Sequence, residues 1–194
     1  TLNTAVSQNA KFEIIEIVRG AEHMGDVDQI EVLYYGEPAV GQLFLLFGLE
    51  APNISWTTPI PISDRIQQYV TAIVKLPKSG TDRLQFFLEY LEDEEEMLAA
   101  DAYDEFARVP YKVVQGLKDQ LSHDQLIAFI QNKDIPPSRR RLYLVMLGVC
   151  GNPEDAPLLE AMIRSDDKMV KAGLDAMIGC YLTLLGEEGL PLIE

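Results

Sequence analysis

The chain has 194 residues, 47% of them hydrophobic, and 16 Lys and Arg against 31 Asp and Glu give it a formal net charge of −15 at neutral pH. This is an ordinary globular composition, long enough to form one domain or two small ones around a real core. The charge excludes a partner held mainly by phosphate neutralisation, which needs clustered Lys and Arg, and so argues against nucleic acid and anionic membranes.

Residues 1–10 are polar and unpatterned and read as a loose lead-in. Residues 11–19, KFEIIEIVR, place Phe12, Ile14 and Ile17 among β-branched neighbours, which predicts a strand, with a short helix as the competing reading. Gly20 ends it. Residues 27–35 alternate Ile30, Val32 and Tyr34 against Gln29, Glu31 and Leu33 and give the clearest strand signal. After the GEPAVG loop, residues 42–47 (QLFLLF) form an apolar run between Gly41 and Gly48, as in a strand covered on both faces. Three strands with short loops predict an antiparallel meander. Residues 51–62 carry Pro52, Pro59 and Pro61 and read as an extended edge or linker. Within them Trp56 is either a binding aromatic or a plug between the β and α halves.

From Ser63 the pattern turns helical. Ser63 and Asp64 open a helix with Ile66, Tyr69, Val70, Ile73 and Val74 inward, ending before Pro77. Residues 81–91 put Leu84, Phe87, Leu88 and Leu91 on one face, and Asp93 starts a further helix with Glu94, Glu95 and Glu96 in its first turn. Pro110 opens another helix and Ser122 caps the next. Residues 136–163 then give a helix apolar almost all round, a Gly-Asn-Pro turn and a returning helix. A last long helix is expected over residues 168–185, capped by Asp166 or Asp167 and ended by Gly186. The closing segment keeps Leu190, Leu192 and Ile193, as if another repeat followed.

No arrangement of chemistry-bearing residues rises above background. His23 and His123 have no partners at metal-ligand spacing and read as surface histidines. The run from Glu92 to Glu96 lacks the Gly and alternating oxygens of a calcium loop, and carboxylates in a helix's first turn are explained by its dipole. Asp101 with Glu105 cannot be told from a solvated helix face. Arg139, Arg140 and Arg141 are the one basic cluster. Since Arg in a first turn opposes the dipole, carboxylate partners are expected among Asp101, Asp104 and Glu105, with an external anion patch as the alternative. Cys150 and Cys180 form no CxxC pair, and adjacent helix axes about 8–10 Å apart favour buried free thiols over a disulfide. No catalytic residue, metal ligand or cofactor is assigned.

Laid on itself, the helical half repeats a plan at residues 101–114, 143–163 and 174–193: a covered helix, a Gly or Pro turn and a returning helix. LGVCGNPEDAPLLEAMI, residues 147–163, resembles bacterial HEAT-like repeats of the armadillo and HEAT class, and the resemblance extends over residues 81–194. A plain helical bundle would show similar stripes. In the first third, FEIIEIVRG, QIEVLYYG and GQLFLLFG together resemble netrin-like modules of the OB-barrel kind, whose cysteines have no counterpart here. The family's first strand also has no counterpart before Lys11, so in place of a closed barrel the residues predict a small three- or four-stranded sheet packed on the first helices.

The expected architecture is α+β, a small antiparallel β-module over residues 1–62 followed by HEAT-like helical hairpins, an α–α superhelix, over residues 63–194. What the resemblance implies is a non-enzymatic protein-interaction scaffold with a protein or peptide partner that is basic or apolar. The alternative is an inhibitor or hydrolase-associated module acting through the β-part. No apolar run reaches the roughly eighteen residues of a membrane span, so no membrane insertion is expected. The chain starts at Thr1 rather than Met, which fits a processed export signal or a piece of a longer chain; the expectation leans to an exported or periplasmic protein.

Overall fold

The computed structural model describes residues 8–36 and 39–193. The lead-in up to residue 7, residues 37–38 of the GEPAVG loop and residue 194 of the closing segment lie outside the described residues. The chain is α+β, and its contacts divide it into two units, Thr1–Leu76 and Pro77–Glu194.

The first unit is built of three two-stranded antiparallel ladders rather than one meander. β1 (Gln8–Glu13) pairs with β2 (Gln29–Tyr34), with Phe12 opposite Ile30. β1 therefore begins earlier than the β-branched residues suggested and stops at Glu13, because ladder bonds are made by backbone and accept Gln8 and Asn9 as readily. Beyond it the chain is held differently: Glu16 accepts from Thr71 at 3.2 Å and from Gln67 at 3.3 Å.

β3 (Leu43–Leu45) does not continue from β2. It pairs with β6 (Ile60–Ile62), and β4 (Gly48–Leu49) pairs with β5 (Ser55–Trp56). The Pro-rich stretch thus supplies two strands, and Pro61 is tolerated because β6 has a single partner and needs no donor on its other side. β3 is half-buried and Phe47 is exposed, so the run is not covered on both faces. Side chains link the first two ladders where hydrogen bonds do not: Phe12, Tyr34 and Phe44 meet edge to face, with centroids 5.1–6.0 Å apart. Trp56 lies against Gly48, where an added Cβ would come 3.2 Å from its ring, so its packing is within the β-module. α1 (Asp64–Ile73) completes the unit; the Ser63 hydroxyl accepts the Ile66 N–H at 3.1 Å, and Ile66 and Tyr69 are buried.

The second unit is helical. α2 (Thr81–Leu88) packs on α3 (Glu96–Arg108), with Arg83 Nε donating to Glu105 at 2.7 Å between them. α4 (Tyr111–Gln115) and α5 (His123–Gln131) follow. α6 (Pro137–Cys150) starts on Pro137, and its N–H-lacking first position suits a helix start. α6 contacts α3, α4, α5 and α8 (Leu174–Leu185), which explains why it is apolar on several sides. Tyr143, Leu144, Met146 and Leu147 are fully buried, each contributing on the order of 1.5–3 kcal/mol. α6 approaches α8 closely at Gly148, where a Cβ would lie 3.6 Å from Thr183 Cγ2.

The Gly-Asn-Pro turn leads into α7 (Ala156–Arg164) through a capping box: Asn152 Oδ1 accepts from Glu154 N at 2.8 Å and Asp155 Oδ2 from Asn152 N at 3.0 Å. The last helix starts later than expected. Asp167 does accept the Met169 N–H at 2.9 Å, but the chain only turns there, and Gly173 in left-handed conformation (φ 93°) resets it before Leu174.

Candidate functional site

Three segments of the second unit line a half-open cavity of about 670 Å³. The chain over α2 and the turn after it contributes Gln85, Leu88, Glu89 and Glu92; α5 and its cap contribute Ser122, Gln125, Leu126 and Phe129. Both sets follow the i, i+3, i+4, i+7 spacing of one helix face. α6 closes the back with Tyr143 and Met146. Leu126, Tyr143 and Met146 are buried and make the floor apolar, whereas Gln85, Glu89 and Gln125 are exposed at the rim. The volume falls in the range of about 300–1,000 Å³ typical of ligand sites.

One wall is electrostatically fixed. The Tyr143 hydroxyl donates to Glu92 Oε1, and the Leu91 carbonyl lies 3.5 Å away. Burial, then the Glu92 carboxylate, push the Tyr143 pKa well above the ordinary phenol range, so the group stays a neutral donor. Behind it Arg139 Nη2 donates to Glu96 at 2.6 Å, and its Nη1 is 3.8 Å from Glu92 Oε2. The acidic run and the basic cluster therefore answer each other. Glu105 is bound instead by Arg83, and Asp104 is 3.2 Å from Arg108.

The other two arginines are placed differently. Arg141 Nε meets Asp175 at 3.0 Å on the surface. Arg140, 2% exposed, binds backbone alone: Met169 O at 2.6 Å, Asn132 O at 3.0 Å and Ala172 O at 3.4 Å. None of the three is an open anion patch.

His123 has partners that its sequence neighbourhood does not reveal. Nε2 lies 2.8 Å from Oδ1 of buried Asp155, 32 residues on, and Nδ1 lies 3.3 Å from Asp124. These carboxylates raise the His123 pKa above its ordinary value, Asp155 contributing most. With both ring nitrogens facing carboxylates, the ring ties the start of α5 to the α6–α7 turn. His23 has Glu22 at 3.6 Å on the surface.

Cys150 and Cys180 are free thiols, the first half-buried and the second buried. Burial raises the pKa of Cys150 and pushes that of Cys180 up to about 12, which suppresses the thiolate needed for nucleophilic chemistry. Among the described residues no three His, Cys, Asp or Glu converge on a metal position, and no helix is long and apolar enough to cross a membrane. Compared with protein-family models, with curated proteins and with solved structures, the chain matches none.

Proposed function

We propose that this chain is a non-enzymatic protein-interaction scaffold, whose helical unit grips a short peptide segment in the cavity between α2, α5 and α6. The observation that carries the reading is the cavity itself, an apolar floor with amide and carboxylate groups at its rim. An apolar floor accepts side chains, and rim amides can bond the backbone of an extended segment as donors and acceptors. The chemistry of the unit favours binding over catalysis, because its histidine is held by two carboxylates and its thiols are kept protonated.

The test uses a library of ten-residue peptides against the full chain and against Gln125→Trp, which blocks the mouth from an exposed position. Peptides retained by the native chain and lost from the variant, at an equal unfolding midpoint, support the reading. Retention of none, or equal retention by both, overturns it. The inhibitor reading has one observation in its favour: Val40, Phe47 and Leu49 on the β-module are exposed.

A further inference from the structure

Resting on that reading, we propose that the cavity recognises an arginine side chain of an extended peptide, with Glu89 and Glu92 as its charge partners. The charged residues lining the cavity are these two, both negative, and no Lys or Arg joins them. Glu89 has no ion pair among the described residues. Glu92 is held by Tyr143 at one oxygen, while its second oxygen has Arg139 at the long distance of 3.8 Å because that guanidinium is drawn to Glu96 at 2.6 Å. A quarter of the Glu92 side chain surface remains open. The carboxylate is thus oriented before any ligand arrives, which lowers the ordering cost of binding a cation.

The walls match the rest of an arginine side chain. Leu88, half-buried, offers apolar surface to its methylene stem, over a floor of buried Leu126 and Met146. Phe129, half-buried and packed at 38° on the fully buried Tyr143 ring with centroids 5.0 Å apart, offers aromatic surface to the planar head. Gln85, Gln120 and Gln125 add amide oxygens to the two carboxylates. A guanidinium has five donors in a fixed plane for such a ring of acceptors, whereas an ammonium is a compact and more strongly hydrated charge. A glutamate would meet two like charges. The net charge of −15 draws a basic segment toward the chain at low salt.

The experiment measures calorimetric binding of four capped Leu- and Ala-based hexapeptides to the full chain, differing only in a central Arg, Lys, norleucine or Glu. The Arg peptide is expected to bind about tenfold more tightly than the norleucine peptide, the equivalent of one charge-assisted contact, and the Glu peptide most weakly. Glu89→Gln with Glu92→Gln should erase most of that preference while leaving norleucine binding in place. Equal affinity for Arg and norleucine overturns the arginine assignment and leaves the scaffold reading standing, because peptide is still bound. An Arg preference that survives the double substitution, or Lys bound as tightly as Arg, also overturns it. Binding of none of the four overturns this inference, while the peptide library and Gln125→Trp decide the broader reading separately.

Discussion

Arg140→Met removes a buried guanidinium and its bonds to three backbone carbonyls, those of Asn132, Met169 and Ala172, of which Met169 O keeps the Ala172 N–H at 3.4 Å. Two of the bonds are short, at 2.6 and 3.0 Å, and a hydrogen bond to a charged group contributes on the order of 1.5–3 kcal/mol. The third, at 3.4 Å, adds little. Against this, methionine fills most of the space and no longer has to bury a charge, which recovers part of the loss. The balance is a destabilisation of about 2–4 kcal/mol, a large fraction of the roughly 5–15 kcal/mol that holds a domain folded. Urea unfolding followed by far-ultraviolet circular dichroism would show the midpoint falling by about 1–2 M at a slope of about 2 kcal/mol per molar. Amide exchange adds a local readout, since the turn over residues 168–173 should open before α6. Arg140→Lys restores charge but not the fork of donors and should recover only part. A loss under about 1 kcal/mol, or a loss with no extra exchange in that turn, would refute the reasoning.

Three further outcomes follow from contacts elsewhere. The His123 pKa is raised in the folded chain, so its stabilisation is fully present below the unfolded value of about 6.5 and is lost as pH rises through the folded value; Asp155→Asn should flatten that pH dependence of the unfolding midpoint. Cys180, its pKa near 12, should react with a thiol reagent far more slowly in the folded chain than after denaturation, and rapid native labelling would contradict its burial. Ser63→Ala removes the hydroxyl that accepts from Ile66 and should cost about 1 kcal/mol by thermal unfolding, with Ser63→Gly costing less.

The parts of the fold that sequence reveals are those whose signal is local. Ser63 and the turn at Gly151 each declare themselves within a few residues and stand as read, whereas of the stripe Ile66, Tyr69, Val70, Ile73 and Val74 only Ile66 and Tyr69 are buried and Val74 is exposed past the helix end. The errors arise where a local signal was genuine but outranked. Asp167 caps as its type suggests, yet Gly173 takes a left-handed conformation that ends the turn and moves the helix start to Leu174. QLFLLF has the composition of a covered central strand, but its partner is a Pro-rich segment that offers a short ladder. The candidate site was not legible because its walls come from separate segments. Each stripe, such as Gln85, Leu88, Glu89 and Glu92, mixes apolar and polar residues as any amphipathic helix does. The Asp155 partner of His123 had no spacing to announce it; the capping-box pattern from Asn152 to Asp155 was the one signal available, and it marks a turn, not a pair.

The many-sided packing of α6 restricts how such a chain could have been lengthened. A helical array whose members rest on one neighbour before and one after can grow by in-frame duplication of a hairpin, since every copy finds the surroundings of its parent. α6 draws on α3, α4, α5 and α8, and Arg140 reaches carbonyls on both its amino-terminal and carboxy-terminal sides. A duplicated α6–α7 segment would carry a second such arginine into surroundings with no carbonyls to receive it.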